Sequence, residues 1–361
     1  MLTVVNTWES SKIDVMSTNL LAIESSCDET SAAIIQDARV VRSNIVASQV
    51  DIHKEYGGVV PEIASRMHVE LIMPVVDKAI KEANIKKEEI DAVAVTNGPG
   101  LIGALMVGLS TAKAIAFSLG VPLIGVNHLE AHMSAIHLEH EVPFPFVGLV
   151  VSGGHTNLYL AKSFTEFEML GRTRDDAAGE AFDKAAKILG LPYPGGVEID
   201  RLAKEGNPEA IDFPRPFMSS STLDFSFSGV KTSVVYYLRK HPDPNEQELK
   251  DICASYQEAI VETLVDKTLV AAKQNNVDSV VIAGGVACNS RLRELSKEKL
   301  DKEGISVYIP SPKYCTDNAA MIGSLGGFMF KEGTTSEMDL TPFSTSRPKY
   351  GRGRGGEVKS A

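Results

Sequence analysis

Leu20-Leu-Ala-Ile-Glu24, Ser25-Ser-Cys-Asp-Glu-Thr30, Ser31-Ala-Ala-Ile-Ile35 is the stretch on which the fold turns. It reads as a buried strand, a polar turn and a second strand returning beside the first. Val40 to Gln49 continues this meander with a third strand. The second half of the chain repeats the pattern: Phe146-Val-Gly-Leu-Val-Val151, the turn Ser152-Gly-Gly-His-Thr156, then Asn157-Leu-Tyr-Leu-Ala161. Each half then adds a strand, a glycine turn and a helix. In the first these are Asp91-Ala-Val-Ala-Val-Thr96, Gly98-Pro-Gly100 and 101–119; in the second, Ser279-Val-Val-Ile-Ala283, Gly284-Gly285 and 291–303. The halves share a pattern rather than residues. Such alternation predicts an α/β fold of mixed sheets with helices on their faces, duplicated into two lobes around a cleft.

Working outward, residues 61–84 read as a helix carrying Ile63, Met67, Leu71 and Val75 at spacings of four. Val121-Pro-Leu-Ile-Gly-Val126 is a buried strand, and Asn127-His-Leu-Glu-Ala-His132 opens a helix with Asn127 as its N-cap. The apolar stripe of that helix is Leu129, Met133 and Ile136. An insertion over about residues 172–241 holds a helix at 175–189 stopped by Gly190, an ordered loop at 191–196, and a strand or turn at 224–231. Cys315-Thr-Asp-Asn318 precedes a helix of small residues, 319–330, expected to return to the first lobe. The division expected is a flexible leader at 1–19, an N-terminal lobe of 20–132 with 316–334, a C-terminal lobe of 133–315, and a flexible tail at 342–361. The leader has neither secretory nor transit character.

With 361 residues, 43% of them hydrophobic, the chain can bury a large core. Its formal charge of -11 argues against a grip on nucleic acid by the whole surface and leaves a local basic patch, for which the tail offers Arg347, Lys349, Arg352 and Arg354. Cys27, Cys253, Cys288 and Cys315 are widely spaced without a C-x-x-C pair, which fits a reducing cytosol. No apolar run is read as approaching the ~18–20 residues that span a bilayer.

His128 and His132, four apart on one helical face with Cβ atoms about 5–6 Å apart, can converge on one ion, or they are two partly exposed surface histidines. Asp317 can complete such a site or serve the dipole of the helix that follows it. Ser152-Gly-Gly-His-Thr156 can cradle a phosphate on backbone N–H groups. Gly284-Gly285 with Asn289 can receive a nucleobase or ribose, or allow close strand–helix packing. Gly179 inside a helix implies a close backbone or ligand. Glu180 and Asp183 suit ribose hydroxyls, or salt bridges with Lys184 and Lys187. Glu24 interrupts a buried run and must have a partner.

Taken in order, Ile23-Glu-Ser-Ser-Cys-Asp-Glu-Thr30, Tyr56-Gly-Gly-Val-Val-Pro-Glu62, Gly98-Pro-Gly-Leu101, His128-x-x-x-His132, Val151-Ser-Gly-Gly-His-Thr156, Ala177-Ala-Gly-Glu-Ala-Phe-Asp-Lys184, Tyr193-Pro-Gly-Gly196, Phe225-Ser-Phe-Ser-Gly229 and Cys315-Thr-Asp-Asn318 resemble the TsaD family of tRNA threonylcarbamoyl transferases in its bacterial or organellar form. The resemblance spans about residues 20–331. It implies the actin-like, sugar-kinase-like two-lobed fold and transfer of a threonylcarbamoyl group from its adenylate, threonylcarbamoyl-AMP, to N6 of the adenosine adjoining the anticodon in ANN-decoding tRNAs. It implies one divalent metal ion, Fe(2+) or Zn(2+), on His128, His132 and Asp317. Val150, Val151, Ser152, Gly153 and Gly154 would hold the phosphate and acyl part, and Asp183, Gly196, Asp200 and Asn289 the nucleoside. TsaB-like and TsaE-like helpers, or a homodimer, would be the protein partners, with tRNA as substrate, no membrane and a cytoplasmic location. Asn127 departs from the histidine common in bacterial members. Asp28 or Glu29 is the candidate acceptor of the amine proton.

Two rival readings share parts of this pattern. A metalloprotease needs glutamate directly after the first histidine. Here Glu130 lies about 200° around the helix from His128, in the position of a capping-box glutamate. A small-molecule kinase or ATPase of this fold would want glycine in the first hairpin, which has none.

Overall fold

The computed structural model describes residues 17–216 and 222–345. Strands β1 (Asn19–Glu24), β2 (Glu29–Gln36) and β3 (Val40–Ser48) form the first meander. A short helix α1 (Val50–Lys54) and the long α2 (Pro61–Ala83) lead to β4 (Ala92–Gly98), α3 (Ile102–Leu119) and β5 (Leu123–Asn127). The sheet order is β3-β2-β1-β4-β5, antiparallel through the meander and parallel from β1 onward. Helix α4 (His128–Ser134) follows β5 with no intervening loop.

The second sheet repeats this plan. It contains β6 (Phe146–Val151), β7 (Thr156–Ala161) and β8 (Phe167–Arg172), then, after helices α5 (Ala178–Ile188), α6 (Gly195–Ala203), α7 (Ser228–Lys240) and α8 (Glu246–Asn275), strand β9 (Ser279–Ala283), helix α9 (Ser290–Asp301) and β10 (Ser306–Tyr308). Its order, β10-β9-β6-β7-β8, is the first order strand for strand, with the same antiparallel and parallel pairings. A short helix α10 (Pro312–Cys315) and α11 (Ala319–Lys331) close the circuit.

Packing explains how the two sheets meet. One face of the first sheet packs Leu21, Ile23, Val93 and Val95 against Ile72, Val76, Leu109 and Ala112 of α2 and α3. Its other face packs Leu20, Ala22, Ala94 and Val126 against Ala131, Ala319, Ile322 and Leu325 of α4 and α11, so the small-residue helix does return to the first lobe. On its far side α4 sets Leu129 and Met133 against Val150 and Tyr159 of the second sheet. Helix α4 is therefore wedged between the sheets.

Several expected boundaries move. β2 begins at Glu29, so the first turn is only Ser25–Asp28. The buried stripe of α2 is Ala64, His68, Ile72, Val75, Val76, Ala79 and Ala83, one position on from the expected Ile63, Met67 and Leu71, which are half-buried. α5 starts at Ala178, three residues after the expected Asp175, because Asp175 and Asp176 are engaged elsewhere: Asp175 accepts from the backbone N–H of Phe227 at 2.8 Å and Asp176 pairs with Lys231 at 2.9 Å. α6 begins within the expected loop, and the strand or turn expected at 224–231 is a single bridge at Phe225 followed by α7. α3 corrects the expectation about apolar runs: its 18 residues pass for a membrane span by length and composition, yet Ala104, Leu105, Leu109 and Ala112 pack it on the domain. α8, for which no motif raised an expectation, runs 30 residues through the core of the second half. The leader's first sixteen residues and the tail from residue 346 lie outside the described residues. Phe343, inside the expected flexible tail, instead donates its backbone N–H to Asn97 O at 3.0 Å.

Candidate functional site

β1 ends on Glu24, a fully buried carboxylate. Thr96 Oγ1 donates to its Oε2 at 2.6 Å, the Ser26 backbone N–H donates to its Oε1, and His128 Nδ1 lies 3.0 Å from Oε2. A carboxylate only accepts, so the Nδ1 hydrogen of His128 is directed at Glu24. This leaves Nε2 facing Asp317 Oδ1, 3.6 Å away. Asn127 holds the histidine helix in place, its Oδ1 accepting from the N–H groups of Leu129 and Glu130 at 2.9 and 3.3 Å, as its N-cap reading requires.

His132 is fully buried, and neither ring nitrogen makes a hydrogen bond. Its Nε2 does lie 3.0 Å from Asp317 Oδ1, but as a close contact without hydrogen-bond geometry. The ring centroids of His128 and His132 are 4.7 Å apart. One donor atom from each of His128, His132 and Asp317 falls within 4.8 Å of the others, and this is the cluster among the described residues able to hold a metal. Asn318, not Asp317, caps α11, accepting from Met321 N at 3.2 Å, so the aspartate is free to turn toward the histidines.

Electrostatics agree with a cation here. Burial opposes charge on His128, but the carboxylates of Glu24 and Asp317 overcome it and raise the ring to about 9. Burial likewise opposes charge on Asp317, yet His128 and His132 hold it well below the usual carboxylate range. A buried polar histidine without a hydrogen bond, beside a carboxylate and a second histidine oriented by a carboxylate, is the arrangement expected around a transition metal.

The second half supplies the facing loops. Val150 and Val151 end β6, and the Ser152–His155 turn closes on itself, Ser152 N–H donating to His155 O at 2.8 Å. Open space lies where side chains would stand at Gly153 and Gly154. A Cβ on Gly179 would sit 2.7 Å from Ser152 O and 2.8 Å from Gly153 Cα, so its glycine lets α5 press against this turn. His155 ends this turn, within the fields of His128, His132 and Asp317. Burial, with the nearby charges of His128 and His132, pushes its ring down to about 4.

Asp183 and Gly196 are brought together: Asp183 Oδ1 accepts from the N–H groups of Gly195 and Gly196 at 2.8 and 3.4 Å, at the start of α6. Asp200 and Asn289 meet through Ser290, whose Oγ donates to Asp200 Oδ1 at 2.7 Å. Asn289 caps α9 by accepting from Leu292 N at 2.9 Å and donates to Gln257 at 2.7 Å. Gly284 has a positive φ of 98°, and a Cβ there would meet Val151 O at 2.3 Å, so close packing explains this glycine while Gly285 borders open space. Glu180 takes the plainer role, pairing with Lys184 at 2.8 Å.

Asp28 is buried at the end of the first turn, and Glu29 accepts from Ser48 Oγ at 3.0 Å. Burial and the adjacent Asp28 push Glu29 up to about 9, so it keeps its proton at neutral pH. Burial and the fields of Asp28 and Asp183 raise Tyr193, a tyrosine the sequence reading gave no role, above its ordinary value. Glu24 as the orienting partner of His128, and His155 beside the cluster, were also missed. His155 stood in a motif read only for its glycines.

Two matching sheets, a helix wedged between them and facing loops at their strand ends define a two-lobed protein of the actin-like ATPase fold. Solved structures agree: the activator of 2-hydroxyisocaproyl-CoA dehydratase from Clostridium difficile superimposes with a TM-score of 0.51 at 14% identity, covering 88% of this chain and 97% of its own. HypF from T. kodakarensis does so at 0.60 and 14% identity, covering 90% of this chain and 49% of its own. The sequence profile of TsaD, tRNA N6-adenosine threonylcarbamoyltransferase, matches residues 40–324. Proteins with that name from Syntrophotalea carbinolica and Geobacter metallireducens are 55% and 56% identical over 322 and 323 residues, 89% of this chain and 94% of each relative. The chain belongs to the TsaD family and is a tRNA-modifying transferase.

Proposed function

We propose that this protein transfers the threonylcarbamoyl group of threonylcarbamoyl-AMP to N6 of the adenosine adjoining the anticodon in ANN-decoding tRNAs. The observation that carries this reading is the His128–His132–Asp317 cluster, supported by the open Gly153–Gly154 turn. The three residues would hold one Fe(2+) or Zn(2+) ion, which, when bound, supplies positive charge and Lewis acidity to substrate oxygens. The chain's own part is positioning. Glu24 orients His128. Val150, Val151 and the Ser152–Gly154 turn receive the phosphate and acyl group on backbone N–H donors. Gly196, with Asp183, Asp200 and Asn289, shapes the nucleoside end, where these side chains chiefly fix α6 and α9. Asp28 accepts the amine proton, since Glu29 beside it already holds a proton of its own. TsaB-like and TsaE-like proteins, or a second copy, would assist in the cytoplasm.

The test is direct: purified protein, threonylcarbamoyl-AMP, a divalent cation and an unmodified ANN-decoding tRNA, followed by nucleoside analysis of the digested tRNA. Threonylcarbamoyladenosine at the position beside the anticodon is the expected product. Turnover of ATP on small hydroxyl compounds, with tRNA unmodified even when the helpers are added, would overturn the reading in favour of a kinase of the same fold.

A further inference from the structure

Three consecutive carbonyls of the first turn are each taken by a different helix of the first lobe. Ser26 O accepts from the backbone N–H of Leu101, the N-cap of α3, at 2.8 Å. Asp28 O accepts from that of Gln49, the N-cap of α1, at 3.0 Å. Cys27 O, between them, is met by a side chain, His68 Nε2 of α2, at 2.9 Å. A carbonyl only accepts, so Nε2 carries the hydrogen, and Nδ1 of the neutral ring accepts from Thr30 Oγ1 at 2.7 Å. Burial pushes the ring below its ordinary value, in keeping with this neutral form.

His68 is fully buried in a stripe whose other members include Ala64, Ile72, Val75 and Val76. Packing alone would put another apolar side chain there, since a buried imidazole is costly unless its nitrogens are satisfied. Both are satisfied, and their partners, Cys27 and Thr30, stand on either side of Asp28 and Glu29. The ring is thus a clamp on the backbone that carries the two carboxylates.

We propose that His68 is a positioning residue for the transfer, holding the Cys27–Thr30 segment so that Asp28 stands where the amine proton is released. This rests on the reading of Asp28 as the acceptor of that proton. The bonds from Leu101 and Gln49 are made by backbone and outlast a change of side chain, whereas both bonds of the clamp belong to one imidazole. A misplacement of about 1 Å in a reacting group can cost on the order of 100-fold in rate. A ring that never touches substrate can therefore set kcat.

The experiment compares His68→Leu, which stays apolar and loses both bonds, with His68→Gln, whose amide can donate from near the Nε2 position. In the tRNA transfer assay, kcat should fall about 100-fold in His68→Leu with KM for either substrate little changed, and His68→Gln should recover most of it. Asp28→Asn should be slow by itself, and His68→Leu added to it should cost nothing further, because the clamp acts through Asp28. Thr30→Val removes only a hydroxyl and suits a strand; it should show a smaller loss of kcat, and it carries the test if His68→Leu does not fold. Hydrogen exchange gives a readout that needs no turnover. The amides of Gln49 and Leu101, which donate into the turn, should lose protection in His68→Leu while those of β6 keep it. Native kcat in His68→Leu beside a slow Asp28→Asn would overturn the clamp alone. Native kcat in Asp28→Asn would overturn the acceptor reading and the clamp's role with it. A further loss of similar size in the double variant, or protection lost equally in β6, would reduce His68 to a folding role and refute the proposal.

Discussion

At the residue scale the two histidines of the α4–α11 junction differ in what holds them. His128 is anchored through Nδ1 to Glu24, whereas His132 has no hydrogen bond at either nitrogen. His132→Ala therefore removes a proposed metal ligand and breaks no hydrogen bond. Titrated with Zn(2+) or Fe(2+), the native protein should gain Tm, and the variant should lose more than the ~10–100-fold of affinity that outer partners of a metal supply. His140→Ala, at an exposed position, is the control; an equal metal-dependent rise in Tm for His132→Ala would sink the cluster. His137 cannot serve as that control. It is buried among Phe144, Phe146, Phe164 and Phe328. Burial, aided by Arg39, pushes its ring down to about 4. Because the unfolded chain takes this proton near 6.5 and the folded one near 4, its stabilisation is complete above 6.5 and lost as pH falls toward 4. Between pH 7.5 and 5 this amounts to about 2 kcal/mol. His137→Phe should flatten that part of the stability–pH curve in urea melts, and an unchanged curve would refute the assignment. The closeness of the two histidine rings was legible because residues at i and i+4 share a helical face. Glu24 was legible only as a carboxylate needing a partner, since the partner lies 104 positions away.

Elements whose role is local were the easier ones to read. The strands carry dense apolar runs, and Asn127 and Gly190 mark helix ends by side-chain capping and a positive φ of 71°. α8 was invisible for a physical reason: buried on most of its circumference, it shows little of the one-sided patterning that reveals a surface helix. α5 shows how tertiary bonds move a boundary, since the carboxylates of Asp175 and Asp176 hold α7 instead of opening the helix. The first turn is likewise fixed from outside. His68 of α2 lies 2.9 Å from Cys27 O and 2.7 Å from Thr30 Oγ1, a link no local pattern discloses. Gly179 gives the sharpest test at this scale. Alanine is the better helix former by roughly 1 kcal/mol, so propensity alone predicts a more stable protein. The added Cβ, however, would press on Ser152 O and the Gly153 backbone and displace the turn. Gly179→Ala should weaken binding of a non-hydrolysable acyl-adenylate analogue by about tenfold, or ~1.4 kcal/mol, measured by calorimetry; unaltered affinity would remove the turn from the adenylate site.

For the whole molecule, the duplication into two mixed sheets was foreseeable from the alternation of strands and turns, while the way the chain's end is fastened was not. Residues beyond α11 cross the first sheet: Ser336 N–H donates to Leu123 O, its Oγ accepts from Gly125 N, Lys113 Nζ donates to Leu340 O, and Phe343 N–H donates to Asn97 O. These four hydrogen bonds, at roughly 0.5–1.5 kcal/mol each, divide the C-terminal region into a packed strap and the basic residues after it. Ending the chain at Lys331 should lower Tm by several degrees, whereas ending it at Phe343 should leave Tm unchanged. The second truncation then isolates charge from stability. It removes Arg347, Lys349, Arg352, Arg354 and Lys359 from a chain whose formal charge is already -11. If those cations meet tRNA phosphates, affinity should fall, and the salt dependence of binding should flatten by about 0.7–0.9 for each phosphate no longer neutralised. Filter binding from low to moderate salt measures both. An unchanged slope would place the nucleic-acid contacts on the folded lobes or on a partner, and tighter binding by the truncated chain would rule the basic tail out as a tRNA contact.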